Sequence, residues 1–185
     1  MSSIVLKQHV FKVGHSPFAH NFLVLHDDDG NVVSEIHGLA VDPATGTPQM
    51  VGRSNHNLRV DELQAKSQMN VAGQPEHVLL QRPGDDLRAT WQAARDALHE
   101  INSRKLTYNP LGGDFNGPRD WDAPVPPVIA GNSNSVNRTL VEAMGLRLPS
   151  MPYMAPGIEN PLLRQQETEQ FARNNGLPIP KGGLF

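Results

Sequence analysis

The stretch "HNFLVLHDDDGNVVSEIHGLAVD", residues 20–42, constrains the fold of this 185-residue chain more than any other. Two runs rich in β-branched and aliphatic residues flank Asp28-Asp29-Gly30-Asn31, a composition that closes an antiparallel hairpin. Facing residues in such a pair have a constant sum of positions. A two-residue turn at Asp28-Asp29 gives a sum of 57 and sets His20 directly across from His37. A turn at Asp29-Gly30 gives 59 and makes the two diagonal neighbours on one face. A three-residue loop gives an even sum and separates them. The odd registers therefore predict a His20–His37 pair, one ring acting as base and the other orienting it by a hydrogen bond. Two other readings stand beside it: unrelated histidines on half-exposed strands, or zinc held by His15, His20 and His26 with Asp27 or Glu35. The zinc set matches no standard ligand spacing.

The remaining chain supplies partners for that hairpin. Residues 3–13 read as a strand through Ile4, Leu6, Val10 and Val13, and so does "EHVLLQ" at 76–81. "PATGTP" at 43–48 is a turn, "QMVG" at 49–52 suits a short strand, and the polar stretch 53–74 has no clear period. After Pro83-Gly84, Asp85 and Asp86 are cap candidates for a helix whose apolar stripe is Leu87, Trp91, Ala94, Leu98 and Ile101. A loop rich in Gly, Pro and Asp covers 107–130. It leads into a helix over 132–144, with Val136, Leu140 and Ala143 inward and Gly145 as C-cap. The order of strands, helix, long loop and helix indicates an α+β fold, an antiparallel sheet packed against helices. Residues 1–150 are expected to form a single domain and 151–185 a peripheral C-terminal helix with a loose tail.

Composition narrows the function classes. A net charge of −3 offers no electrostatic reason to bind nucleic acid or an anionic membrane. With no cysteine, disulfides, thiolate zinc sites and a cysteine nucleophile are excluded for this chain. The opening "MSSIVLKQHVF" lacks the apolar core of a secretory signal, and no run approaches membrane-spanning length. The expectation is a chain made soluble in the cytoplasm, without an integral membrane segment and exported, if at all, without a standard signal.

The helix start "GNSNSVNRTLVEAMG", residues 131–145, carries a second chemical signal. One cap residue suffices to begin a helix, yet Asn132, Ser133, Asn134 and Ser135 stand in a row. In one reading Ser133 or Asn132 caps the helix and Ser135 sits in its first turn. In the other, Ser133 is a nucleophile at the positive end of the helix dipole, with free backbone N–H groups to hold an oxyanion and a histidine to take its proton. Ser133 is then expected to stand on a buried helix packed against the histidine face of the sheet through Val136 and Leu140.

Together, "AHNFLVLHDDDGNVVSEIHGLA" and "NSNSV" resemble the circularly permuted papain-like hydrolases, the lecithin:retinol acyltransferase-like group in particular. In that group a histidine begins a strand, a second follows in a segment like "VIH", and the nucleophile opens a later helix after an asparagine. The resemblance puts His20, His37 and Ser133 in those roles, with Val136 as the apolar anchor. It covers two short stretches and departs from the group in one respect: the nucleophile there is usually cysteine. The branch uses serine, the site is weakened, or a cysteine was replaced, and the absence of cysteine fits all three. The resemblance implies an α+β permuted papain-like fold and an acyl-enzyme route that needs no cofactor. It also implies amide or ester substrates such as peptidoglycan-type peptides, isopeptides or lipid acyl chains. A chain of this type also suits an antibacterial effector with a neutralising protein partner. A catalytically inactive binding module on the same fold is the alternative.

Overall fold

A computed structural model describes residues 1–13, 16–49, 52–83, 87–111 and 130–179. Among these the strands are β1 (Ser2–Val13), β2 (Ser16–His26), β3 (Val32–Val41), β4 (Pro48–Gln49), β5 (Asn57–Leu63), β6 (Glu76–Arg82), β7 (Thr107–Tyr108) and β8 (Ala130–Gly131). The helices are α1 (Arg88–Ser103), α2 (Ser133–Ala143) and α3 (Gln165–Asn174). The fold is α+β, as expected. One curled, mostly antiparallel sheet runs β6-β1-β2-β3-β5-β7-β8, with β4 paired to β3, and forms a half-barrel against which the three helices pack.

The hairpin reaches its odd register by an unexpected route. Its loop has three residues, Asp28 to Gly30, closed by Asp27 N–H to the Asn31 carbonyl at 3.0 Å. The Asp27 carboxylate accepts from the N–H groups of Asp29 and Asn31, and Gly30 takes the left-handed conformation at φ +83°. This loop pairs His26 with Val32, an even sum that would put the histidines on opposite faces. A β-bulge then leaves Val33 without a partner, and from Leu25↔Ser34 to Leu23↔Ile36 the sum is 59. The extra residue restores the parity that the turn removed.

Alternation divides the sheet into two faces. On one, Ile4, Leu6, Leu23, Ile36, Ala40, Leu58 and Val60 meet Trp91, Leu98, Ile101, Val136 and Leu140 in the main core. On the other, Val5, Phe22 and Val24 are buried. Residues 64–75 cross that second face, their groups bonding to Lys7, His9 and Glu35. The unassigned 53–74 region holds β5: Leu58 and Val60 point inward, while Arg59 and Asp61 pair with each other on the other side. The short β7 and β8 fall at the two ends of the expected 107–130 loop, whose residues 112–129 lie outside the described ones.

The α1 stripe is buried as its spacing predicts, but the cap residue is Leu87, which makes no side-chain capping bond. Asp85 and Asp86 are outside the described residues. Trp91 is 5 % exposed and donates through its indole N–H to Glu62 at 2.9 Å. Trp91→Ala is expected to cost about 3–5 kcal/mol and to lower Tm by roughly 10 °C or more, read by thermal unfolding. An unchanged Tm would contradict the packing of this helix.

Helix α2 is buried on every side, polar residues included. Its outer face is covered by the chain that follows. Arg138 pairs with Glu142, the Thr139 hydroxyl accepts from the Leu162 N–H at 2.7 Å, and Leu162 and Leu163 join the core. Gly145 ends the helix in the left-handed conformation at φ +68°, as expected of a glycine there. No helix among the described residues is long and apolar enough to cross a membrane.

Candidate functional site

Beyond Leu23 and Ile36 the β2–β3 ladder stops, although β2 continues along β1 and β3 continues along β5. The N-terminus of α2 fills the gap. Gly38 on β3 makes room for it: a Cβ there would lie 2.8 Å from the Ser133 Cα. On the β2 side, the Asn134 side chain accepts from the Asn21 N–H at 3.0 Å and donates to the Ala19 carbonyl at 3.1 Å. Asn137 donates to the Asn21 carbonyl at 2.6 Å, and the Met154 carbonyl accepts from the Ala19 N–H at 2.9 Å. These groups take over the hydrogen bonds that β3 would otherwise have made on either side of His20, so the backbone groups of Ala19 and Asn21 stay paired.

The four polar residues at the helix start have separate tasks. Asn132 is the cap, its Oδ1 accepting from the N–H groups of Asn134 and Ser135. Asn134 ties the helix to β2. The Ser135 hydroxyl donates to the Gly157 carbonyl at 3.0 Å. The Ser133 hydroxyl has no hydrogen-bond partner among the described residues. Its N–H is the first-turn donor that the cap leaves unused.

His20 and His37 come together, with His20 Nε2 to His37 Nδ1 at 3.3 Å and the two rings within 6° of parallel. Phe22 stacks on His37 at a centroid distance of 4.7 Å. This is the diagonal arrangement of the 59 register. The expectation that α2 packs on the histidine face is not met. Gly38 faces α2, so the neighbouring His37 projects from the opposite face, as do Glu35 and His20. What joins the helix to the histidines is the split in the sheet: His20 and Ser133 line one pocket that opens there, walled by Phe11, Phe18, Tyr108, Pro110 and Leu111. His20 Nδ1 is buried and has no hydrogen-bond partner among the described residues.

A carboxylate absent from the sequence-derived triad completes the chain of contacts. His37 Nε2 lies 2.9 Å from Glu35 Oε2, and both residues are fully buried. Glu35 also accepts from the Ser67 N–H at 3.1 Å and from Asn70 Nδ2 at 2.6 Å. Burial alone would raise its pKa. The hydrogen bonds from His37, Ser67 and Asn70 outweigh that and hold it at about 2. For His20, burial followed by the neighbouring His37 and His9 lowers the pKa to about 3, so its ring is neutral at physiological pH. The sequence signal for Glu35 is its period-two spacing from His37; Asn70 and Ser67 lie in a stretch with no readable pattern.

The zinc reading finds no support in the geometry. His15 is outside the described residues, His26 pairs with the Ser3 hydroxyl at 3.4 Å, and the described residues contain no cluster of three metal-ligating side chains. No protein-family model, curated protein or solved structure matches this chain.

Proposed function

We propose that this chain is a hydrolase or acyltransferase acting on amide or ester bonds through an acyl-enzyme on Ser133, built on a circularly permuted papain-like plan. The observation that carries this reading is that His20, whose buried Nδ1 has no hydrogen-bond partner among the described residues, lines the same pocket as Ser133. The order of histidine strand, second histidine strand and nucleophile-bearing helix supports the family likeness.

In the reaction, His20 Nδ1 takes the proton as Ser133 Oγ bonds to the substrate carbonyl carbon. The developing oxyanion meets the unused Ser133 N–H at the positive end of α2. His20 returns the proton to the leaving amine or alcohol as the C–N or C–O bond breaks. Water, or an acceptor alcohol or amine, then repeats the sequence to release the acyl group. His37 holds the ring of His20 through its Nε2.

A fluorophosphonate probe tests the assignment. Mass spectrometry of the labelled protein is expected to find the phosphonyl group on Ser133, and Ser133→Ala is expected to abolish labelling. Absence of labelling in the wild type, or equal labelling of Ser133→Ala, would replace the enzyme reading with a binding module.

A further inference from the structure

We propose that Glu35 is a positioning residue of the site: through His37 it holds both imidazoles in the one tautomeric arrangement that leaves Nδ1 of His20, a residue lining the same pocket as Ser133, as a bare lone pair. The inference rests on the acyl-enzyme reading for its consequence, but its geometry stands apart from that reading.

Glu35 is acceptor-only as a carboxylate, so the His37 nitrogen 2.9 Å away must carry a proton. When His37 carries a single proton, Glu35 holds it on Nε2 and the other nitrogen, Nδ1, is an acceptor. It faces His20 Nε2 at 3.3 Å, which must therefore donate. That leaves His20 Nδ1 without a proton, the state a general base requires. The Glu35 charge then stabilises the His20 imidazolium formed when Ser133 gives up its proton. A fully buried carboxylate is costly unless its oxygens are satisfied. Here the Ser67 N–H and the Asn70 amide satisfy them from the segment that crosses this face, and Asn70 in turn accepts from Lys7 Nζ at 3.1 Å.

The other ionisable groups around this relay are His9 and Lys7 on β1, His26 on β2, Arg59 and Asp61 on β5, Glu76 on β6 and the exposed Lys66. Lys7 pairs with Glu76, and Arg59 with Asp61. Asp61 lies across the ladder from His37. None of these is hydrogen-bonded to His20, His37 or Glu35. The free acceptor on His20 therefore follows from Glu35.

Nitrogen-15 NMR of the histidine rings reads the tautomers directly. In the wild type, His20 is expected to show a protonated Nε2 and a bare Nδ1, unchanged from about pH 8 to pH 5, in keeping with its lowered pKa. Finding the proton on Nδ1 would overturn the proposal without recourse to any variant. Glu35→Gln removes the charge and is expected to slow fluorophosphonate labelling of Ser133 by at least about 100-fold and to introduce the second His20 tautomer. Glu35→Asp, which keeps the carboxylate, is expected to restore most of the rate. If Glu35→Gln lowers Tm yet leaves the tautomers and the rate untouched, Glu35 only anchors the crossing segment and the proposal fails. If the wild type shows the expected tautomers but Ser133 never labels, the acyl-enzyme reading fails and the role of Glu35 in the relay stands.

Discussion

His20→Ala is expected to slow labelling of Ser133 by a fluorophosphonate by about 100- to 10,000-fold, the span over which a positioned general base contributes. The probe forms an O–P bond and loses fluoride, so the rate depends on removal of the serine proton and not on recognition of a leaving group. Labelling kinetics followed by intact mass measure it. Ser133→Cys supplies the complementary test. Two effects lower a thiol pKa at this position, the N-terminus of α2 and the neighbouring imidazole. Burial of the ion pair opposes them. A thiolate and an imidazolium about 4 Å apart attract by about 4 kcal/mol at an effective dielectric of 20, comparable to the burial cost already visible in the lowered pKa of His20. The helix terminus then decides the sign in favour of the thiolate. Reaction of this variant with iodoacetamide near pH 6 is expected to be about 10-fold faster than that of an unperturbed thiol, and His20→Ala in the same background should remove most of the gain. An introduced thiol indifferent to His20 would leave Ser133 as a helix-start residue and the histidines as bystanders.

Acid is expected to destabilise the protein in two steps that belong to the same cluster. His20 has a folded pKa of about 3 against an ordinary value of 6.5, with burial the main cause. Between those pH values the unfolded chain binds a proton there that the folded chain does not, so stability falls as pH drops from about 6.5 toward 3. The shift corresponds to a loss on the order of 5 kcal/mol across that window. Glu35, held at about 2 against 4.5, adds a loss of the same sign from about pH 4.5 downward. Urea unfolding between pH 7 and pH 4 is expected to show a falling midpoint in the wild type. His20→Gln, which cannot titrate, should flatten the part of the curve above about pH 4.5. Parallel curves for the two proteins would mean that His20 is solvated and the pocket more open than its burial indicates.

Local pattern alone determined several parts of this protein. The β1, β2, β3 and β6 runs, the buried stripe of α1, the start of α2 and its glycine end follow from periodicity, turn composition and capping, all of which act over a few residues. So does the candidacy of His20, His37 and Ser133. Tertiary structure decided the rest. The parity of the hairpin depended on a three-residue loop and a bulge at Val33 that cancel each other, and turn composition does not report a bulge. The face on which α2 packs depended on Gly38, whose missing side chain admits the helix start, and on Asn134 and Asn137 replacing a strand that ends early. The entry of Glu35 into the relay depended on Ser67 and Asn70 arriving from more than thirty residues away to satisfy a buried carboxylate. Each of these turns on which distant chain supplies a missing hydrogen bond or fills a gap. That is a property of the packed molecule, because the groups that meet are far apart along the chain and carry no shared period.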